Sequence, residues 1–247
     1  MKTKKAGTVY IGTSNIVIPG NKQSFPEAFR DKSRLHYYAS LFNTVEINSS
    51  FYKVPMPSTF EKWTAEVPAG FKFSIKLWKA ITHVKELDCL DEDIDKFLMA
   101  MDRSGKHKGP LLIQFPGKIS IDFYNKVEHI LQRIFLHNNK MEMAVEFRHP
   151  GWYVGETMEL LDEFNASLVL HDIPKSKNLQ LNKKATFVYL RFHGTAGDYR
   201  GSYTTKELKY YAALIKKWAA QGKNVYAYFN NTMGAAYDNA CSLQGMV

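Results

Sequence analysis

An α/β fold, a parallel eight-stranded (β/α) TIM-like barrel, is the class this sequence predicts, on three observations. Short β-rich segments recur eight times, nearly always with a helical stretch between them. The strands begin apolar and end polar, as expected where a barrel gathers its carboxyl ends around a site. The first strand runs into Gly12-Thr13-Ser14-Asn15, which is not the glycine-rich phosphate loop that an open, doubly wound sheet usually carries there.

In chain order the strands are 9–14, 44–48, 72–76, 111–115, 143–148, 168–172, 187–193 and 225–230, each rich in Val, Ile, Phe or Tyr. Amphipathic stretches with helical spacing cover 34–42, 59–67, 91–103, 124–136, 157–164 and 206–221, and 233–245 closes the chain as a further helix. Residues 173–186 carry no such pattern, so the sixth helix is expected to be missing or vestigial. No linker or composition shift divides the 247 residues, and a barrel of that length is one domain, 1–247.

Hydrophobic residues at 45% and charged residues at 23% suit a folded core rather than a disordered chain. Lys and Arg number 33 against 24 acidic residues, a formal charge of +9 that favours anionic partners. The charge is scattered in short groups, at Lys2/Lys4/Lys5, Lys106/Lys108, Lys183/Lys184 and Lys216/Lys217, as solvated faces are. Cys89 and Cys241 have neither CxxC nor metal-ligand spacing, which fits a reducing cytoplasm. No apolar run is long enough to span a bilayer, so no membrane partner is expected.

Side chains alternate across a strand, so residues two apart share a face. Glu46 with Asn48, Glu146 with Arg148, Arg191 with His193 and Tyr228 with Asn230 fall on common faces, while Ile47, Phe147 and Phe192 point to the helix layer. Lys76, Gln114, His171 and Asp172 end three further strands. Polar groups at seven strand ends cost desolvation at each position, so a functional mouth explains them better than a core does. Phe51, Tyr52 and Trp152 follow strand ends, where they could stack on a ligand. His83 and His149 read as rim residues, and His36, His107, His129 and His137 as surface ones.

These residues also carry a resemblance. Gly12-Thr13-Ser14, Phe42 to Asn48 leading into Phe51-Tyr52, Phe71 to Lys76 with Thr82-His83, and Gly109 to Pro116 follow one another in order. Glu146-Phe-Arg148-His149-Pro-Gly-Trp152, Tyr189 to Gly194, and Tyr228 to Asn231 with Asn239-Ala240 complete the set. Together they resemble the domain of unknown function 72 family, the YecE-like proteins, over nearly the whole chain. The resemblance implies a barrel of the triosephosphate-isomerase type in a mostly bacterial, cytoplasmic family, and brings no established reaction. Asn15-Ile16-Val17-Ile18-Pro19 departs from the family's usual Gly-Trp after Gly-Thr-Ser, so no role for that tryptophan carries over.

Three functions use the strand ends. In the leading one an enzyme takes a small phosphorylated or carboxylated, sugar-like molecule, with Lys76, Arg148 and Arg191 on the anion. Glu46, Glu146, His171 and His193 are then its proton-transfer groups, for isomerase, lyase or hydrolase chemistry. Asn48, Gln114, Tyr228 and Asn230 orient the substrate, with Phe51 and Tyr52 against it, and no cofactor is needed. In the second, Glu46, Glu146, His171, Asp172 and His193 hold a divalent metal for an isomerase or phosphoesterase. Interleaved Lys and Arg argue against it. In the third, the basic surface and Phe51, Tyr52, Trp152 and Tyr199 bind nucleic acid or a metabolite without catalysis.

Overall fold

Alternating patterns of this kind resolve into regular elements in a computed structural model, which describes residues 5–247; Lys2 and Lys4 lie outside the described residues. Among these residues the strands are β1 (Val9–Thr13), β2 (Thr44–Ile47), β3 (Lys72–Lys76), β4 (Lys108–Phe115) and β5 (Met143–Phe147). They continue as β6 (Ala166–Leu168), β7 (Leu170–His171), β8 (Phe187–Phe192) and β9 (Asn224–Phe229). The helices are α1 (Arg34–Leu41), α2 (Pro57–Ala65), α3 (Lys79–Thr82) and α4 (Asp91–Asp102). After them come α5 (Tyr124–His137), α6 (Gly155–Glu163), α7 (Thr205–Ala220) and α8 (Ala236–Gln244).

All strand pairs are parallel and form two sheets, ordered β2-β3-β4-β5-β6 and β1-β9-β8-β7. The sheets meet on both flanks, which gives the α/β fold a barrel-like form. On one flank Ser14 bridges to Glu46 in parallel sense, and the Asn15 amide donates to the Glu46 carbonyl at 2.7 Å. Gly12 is required at this seam: a Cβ there would sit 2.2 Å from the Thr44 carbonyl oxygen. On the other flank β6 pairs with β5 and β7 with β8, and Val169 alone separates the two halves.

Period-2 alternation sorts the side chains into layers. Val188, Leu190 and Phe192 of β8, with Val225, Ala227 and Phe229 of β9, join the main core under the helices, as do Ile47 and Phe147. The opposite faces, with Leu112, Ala144, Val169, Phe187, Tyr189, Tyr226 and Tyr228, make a separate inner cluster. Polar groups seal that interior: the Tyr228 hydroxyl lies 2.7 Å from Thr44 Oγ1, and Tyr189 Oη 2.6 Å from Ser74 Oγ.

Between β7 and β8 there is one 3-10 turn, Pro174–Ser176, and no α-helix. Side chains do a helix's work there. Asn182 accepts from the Leu168 amide at 3.0 Å and donates to Asp162 at 2.7 Å, and Asn178 donates to the Val169 carbonyl at 3.0 Å. Three expectations need correction. His107 is buried, its Nδ1 3.0 Å from the Phe71 carbonyl. Trp152 is fully buried as well, stacked on Phe147 at 4.2 Å and donating to the Ile119 carbonyl, so it does not face a ligand. β4 begins at Lys108, three residues before the apolar run that marked it in sequence.

Candidate functional site

Register brings the polar strand ends to one level: Gln114 pairs with Glu146, and Arg191 with Tyr228. At their centre Glu46, Arg191 and Glu146 form a buried ion network, with Arg191 only 2% exposed. Arg191 clamps Glu46 through Nε and Nη2, both at 2.9 Å, and reaches Glu146 through Nη1 at 2.8 Å. Bidentate pairing of this kind suits the planar guanidinium. Ser14 Oγ at 2.6 Å, Tyr189 Oη at 2.8 Å and Asn48 Nδ2 at 3.2 Å complete the shell of donors around Glu46.

Burial by itself would raise both carboxyls, yet both are held below the ordinary carboxylate range. Arg191 does this for Glu46, helped by hydrogen bonds from Ser14 and Tyr189. Arg148, whose Nε contacts it, and Arg191 do it for Glu146, well below that range. Both are therefore carboxylates at neutral pH. His193 lies beside them with its backbone N–H donating to Asp172 at 2.8 Å and its Nδ1 at 3.3 Å from the same oxygen. Tyr203 holds the other Asp172 oxygen. The His193 Nε2 lies 3.0 Å from Arg148 Nη2 and 3.3 Å from Arg191 Nη1, both of which can only donate. Burial is the main cause that lowers the His193 pKa to about 4, so the ring is neutral with its lone pair on Nε2. His171 is neutral too, again because burial lowers its pKa; its Nε2 lies 2.9 Å from Tyr153 Oη, and its buried Nδ1 has no partner.

Above this network opens a cavity of about 240 Å³ lined by Asn15, Asn48, Phe51, Tyr52, Lys76, Gln114, Arg148, Arg191, Tyr199 and Asn230. Larger cavities of about 680–720 Å³ lie elsewhere on the surface, but none contains a comparable gathering of strand-end charges. Lys76 donates to Gln114 Oε1 at 2.9 Å, with its Nζ 4.1 Å from the centre of the Phe51 ring.

The structure thus brings together Asn48, Phe51, Tyr52, Lys76, Gln114, Arg148, Arg191 and Asn230 around one cavity, with Glu46, Glu146, His171 and His193 in or beneath its floor. Tyr228 is not among them; its hydroxyl is committed to Thr44 in the interior below. Arg191 differs from a free anion clamp, because its donors are taken by the two glutamates and His193. Arg148 keeps the more open guanidinium, with 16% of its side chain exposed. The metal reading does not fit this geometry. Arg191 stands between the two carboxylates, and among the described residues no three His, Cys, Asp or Glu side chains converge as ligands.

Sequence reasoning gave no site role to Ser14, Asn15, Tyr189 or Tyr203, and named Tyr199 only as a stacking residue of the binder reading. Asn15 adopts φ 63°, and its Oδ1 accepts from the Asn48 amide at 3.2 Å, which ties the first loop to the second. Tyr199 and Tyr203 belong to a loop pinned by Asn231 and Asn239, which bond each other at 3.0 Å and reach Gly201 and Ser202. The paired asparagines after β9 were the available signal for that loop.

A family model described as "Protein of unknown function DUF72" matches residues 10–247. UPF0759 protein YunF of Bacillus subtilis (strain 168) is 24% identical over 269 residues, covering 94% of this chain and 92% of that protein. UPF0759 protein YecE of Escherichia coli (strain K12) is 27% identical over 129 residues, 52% of this chain and 46% of that protein. A crystal structure of a DUF72 family protein from Thermotoga maritima MSB8 superposes with a TM-score of 0.76 at 26% identity, covering 97% of this chain and 98% of that one. One from Enterococcus faecalis V583 gives 0.77 at 21% identity, covering 97% and 95%. Among the described residues no helix is long and apolar enough to cross a membrane.

Proposed function

This chain belongs to the DUF72 family, and because that membership carries no reaction, we propose from the site itself an enzyme acting on a small anionic, sugar-like molecule, phosphorylated or carboxylated. We read the two sheets as one closed eight-stranded barrel, with β6 and β7 as halves of its sixth strand. The observation that carries the functional reading is the small cavity whose walls supply Lys76, Arg148 and four amide side chains directly over an ionised Glu46–Arg191–Glu146 floor. A barrel interior evolved for stability alone would be better filled with apolar side chains.

In this reading Arg148 holds the anionic group, with Lys76 beside it in the cavity wall and Arg191 fixing the carboxylates beneath. Asn48, Gln114 and Asn230 orient hydroxyls, and Phe51 and Tyr52 cover the substrate. The reaction is a proton transfer of the isomerase or lyase kind. His193 is its base: neutral and oriented by Asp172, its Nε2 lone pair becomes available to the substrate when Arg148 turns from it to the anionic group. Asp172 and Glu146, both ionised, stabilise positive charge developing on His193, and Glu46 anchors Arg191 beside them. His171 is a second neutral imidazole within this group, its ring centre 5.8 Å from that of His193.

A thermal-shift panel of phosphorylated and carboxylated sugars, divalent metals and short oligonucleotides tests this. A ligand at about 100 times its Kd stabilises by roughly 2.7 kcal/mol, and each kcal/mol moves the midpoint of a domain this size by about 2–4 °C. The expected result is a shift with a small anion that is lost in Arg148→Ala. A shift confined to metals or to oligonucleotides, or one that survives Arg148→Ala, contradicts the proposal.

A further inference from the structure

Lys76 lacks the counter-ion that Lys108 and Lys126 have. Those two pair with Asp102 and Asp88, and Lys72 donates to the Lys106 and Lys108 carbonyls, whereas among the described residues no carboxylate oxygen lies within 4.0 Å of the Lys76 amine. Its amine is partly buried in the mouth cavity, on the face of Phe51, with the neutral Gln114 Oε1 as its polar partner. The nearby charges act in both directions: Arg191 and Arg148, guanidiniums that cannot give up a proton, disfavour the ammonium, and Glu146 and Glu46 partly offset them. The carboxylates that could have served as counter-ions are tied up by those guanidiniums.

We propose that Lys76 is a covalent catalytic residue: the substrate is a small carbonyl compound carrying a carboxylate or phosphate, and the Lys76 amine condenses with its carbonyl carbon. This rests on the small-anion reading of the mouth and names the substrate class within it. Arg148 remains permanently charged for the anionic group, which leaves Lys76 for the carbonyl. The neutral Nζ adds its lone pair to the carbonyl carbon, and the displaced π pair on oxygen takes up a proton as Nζ loses one. The resulting carbinolamine expels its oxygen as water and leaves a carbon–nitrogen double bond, so one amine and one carbonyl give one imine and one water. Protonated on nitrogen, that imine draws the electron pair left on the adjacent carbon when a base removes its proton, the activation that an isomerase or lyase needs.

Burial, reinforced by the Arg191 charge, brings the Lys76 pKa down to about 8, so a usable fraction of the amine is free near neutrality. Cation–π attraction to Phe51 opposes this only weakly.

The full chain is treated with glyoxylate, a carboxylated aldehyde small enough for the cavity, and cyanoborohydride from pH 6 to 10, then mapped by peptide mass. The expected result is reduced adduct at Lys76 on the order of tenfold faster at pH 7.5 than at exposed Lys79 and Lys118, with a half-maximum near pH 8. Labelling of Lys76 no faster than at those lysines, or with the same pH profile, overturns the proposal. Lys76→Arg removes the fast adduct and keeps the positive charge. If that variant retains the anion shift while the native protein shows no preferential labelling, covalent chemistry falls and the anion site stands. If Lys76 labels fast but no anion shifts the native protein, the reverse holds.

Discussion

Arg191 sits between two carboxylates that would repel each other without it, and it is buried with both of them. Removing one member of such a network leaves buried charge without compensation. Arg191→Met is therefore expected to cost about 3–5 kcal/mol in a denaturant titration. Adding Glu46→Gln and Glu146→Gln to it should return much of that loss, because the orphaned charges are gone. Two pH effects follow from the pKa directions. His193 falls from an ordinary 6.5 to about 4, so its share of the stability is complete above pH 6.5 and is lost as pH drops toward 4. Glu46 and Glu146 are also depressed, so their share is present above their ordinary 4.5 and is lost below it. In Arg191→Met the Glu46 carboxyl loses its cationic partner and rises above its ordinary value, so the folded state binds the extra proton and its part of the slope reverses sign, whereas Glu146 keeps Arg148 and stays depressed. Urea midpoints of both proteins measured from pH 4 to 8 check this. At this scale the pairs Glu46/Asn48, Glu146/Arg148 and Arg191/His193 were legible because a strand's alternation is local. Ser14, Tyr189 and Tyr203 were not, since each earns its place through a partner 31 to 143 residues away.

The least regular stretch of the fold joins β7 to β8, where Asn178 and Asn182 bond strand backbone that a packed helix would otherwise cover. Asn182 is buried, and it satisfies the Leu168 amide, the Ala166 carbonyl and Asp162 together. Asn182→Ala leaves those groups unpartnered and is expected to cost about 1–3 kcal/mol, read as a lower urea midpoint. Asn178→Ala acts in the same direction through the Val169 and Gln180 carbonyls. The absent helix was visible in sequence as a missing 3.6-residue period over 173–186. The break between β6 and β7 was not, because Val169 is β-branched and apolar like its neighbours and only the change of pairing partner marks it. The Gly12-Thr13-Ser14 segment shows the same limit. It stood out as a motif, but its reasons are tertiary: Gly12 admits the Thr44 backbone, Thr13 bonds Tyr38, and Ser14 bonds Glu46.

Across the whole molecule, the order of strands and helices was readable because each element repeats its own short period, and the family likeness spans the same residues. The positive charge was a poorer guide. The 33 basic residues suggested anionic partners, yet at the strand ends Arg191 is committed to Glu46 and Glu146, and Arg148 and Lys76 are the cations that present donors to the cavity. Net charge describes the surface that approaches a partner; the site is defined by which cations still turn donors toward the cavity. The most direct test of the small-anion site is a crystal soaked in tungstate, a heavy oxyanion located by its anomalous signal. The account predicts tungstate in the mouth cavity, within hydrogen-bonding distance of the Arg148 guanidinium and the Lys76 amine. Tungstate bound only to lysines on the outer helices, with the mouth holding none, would contradict it.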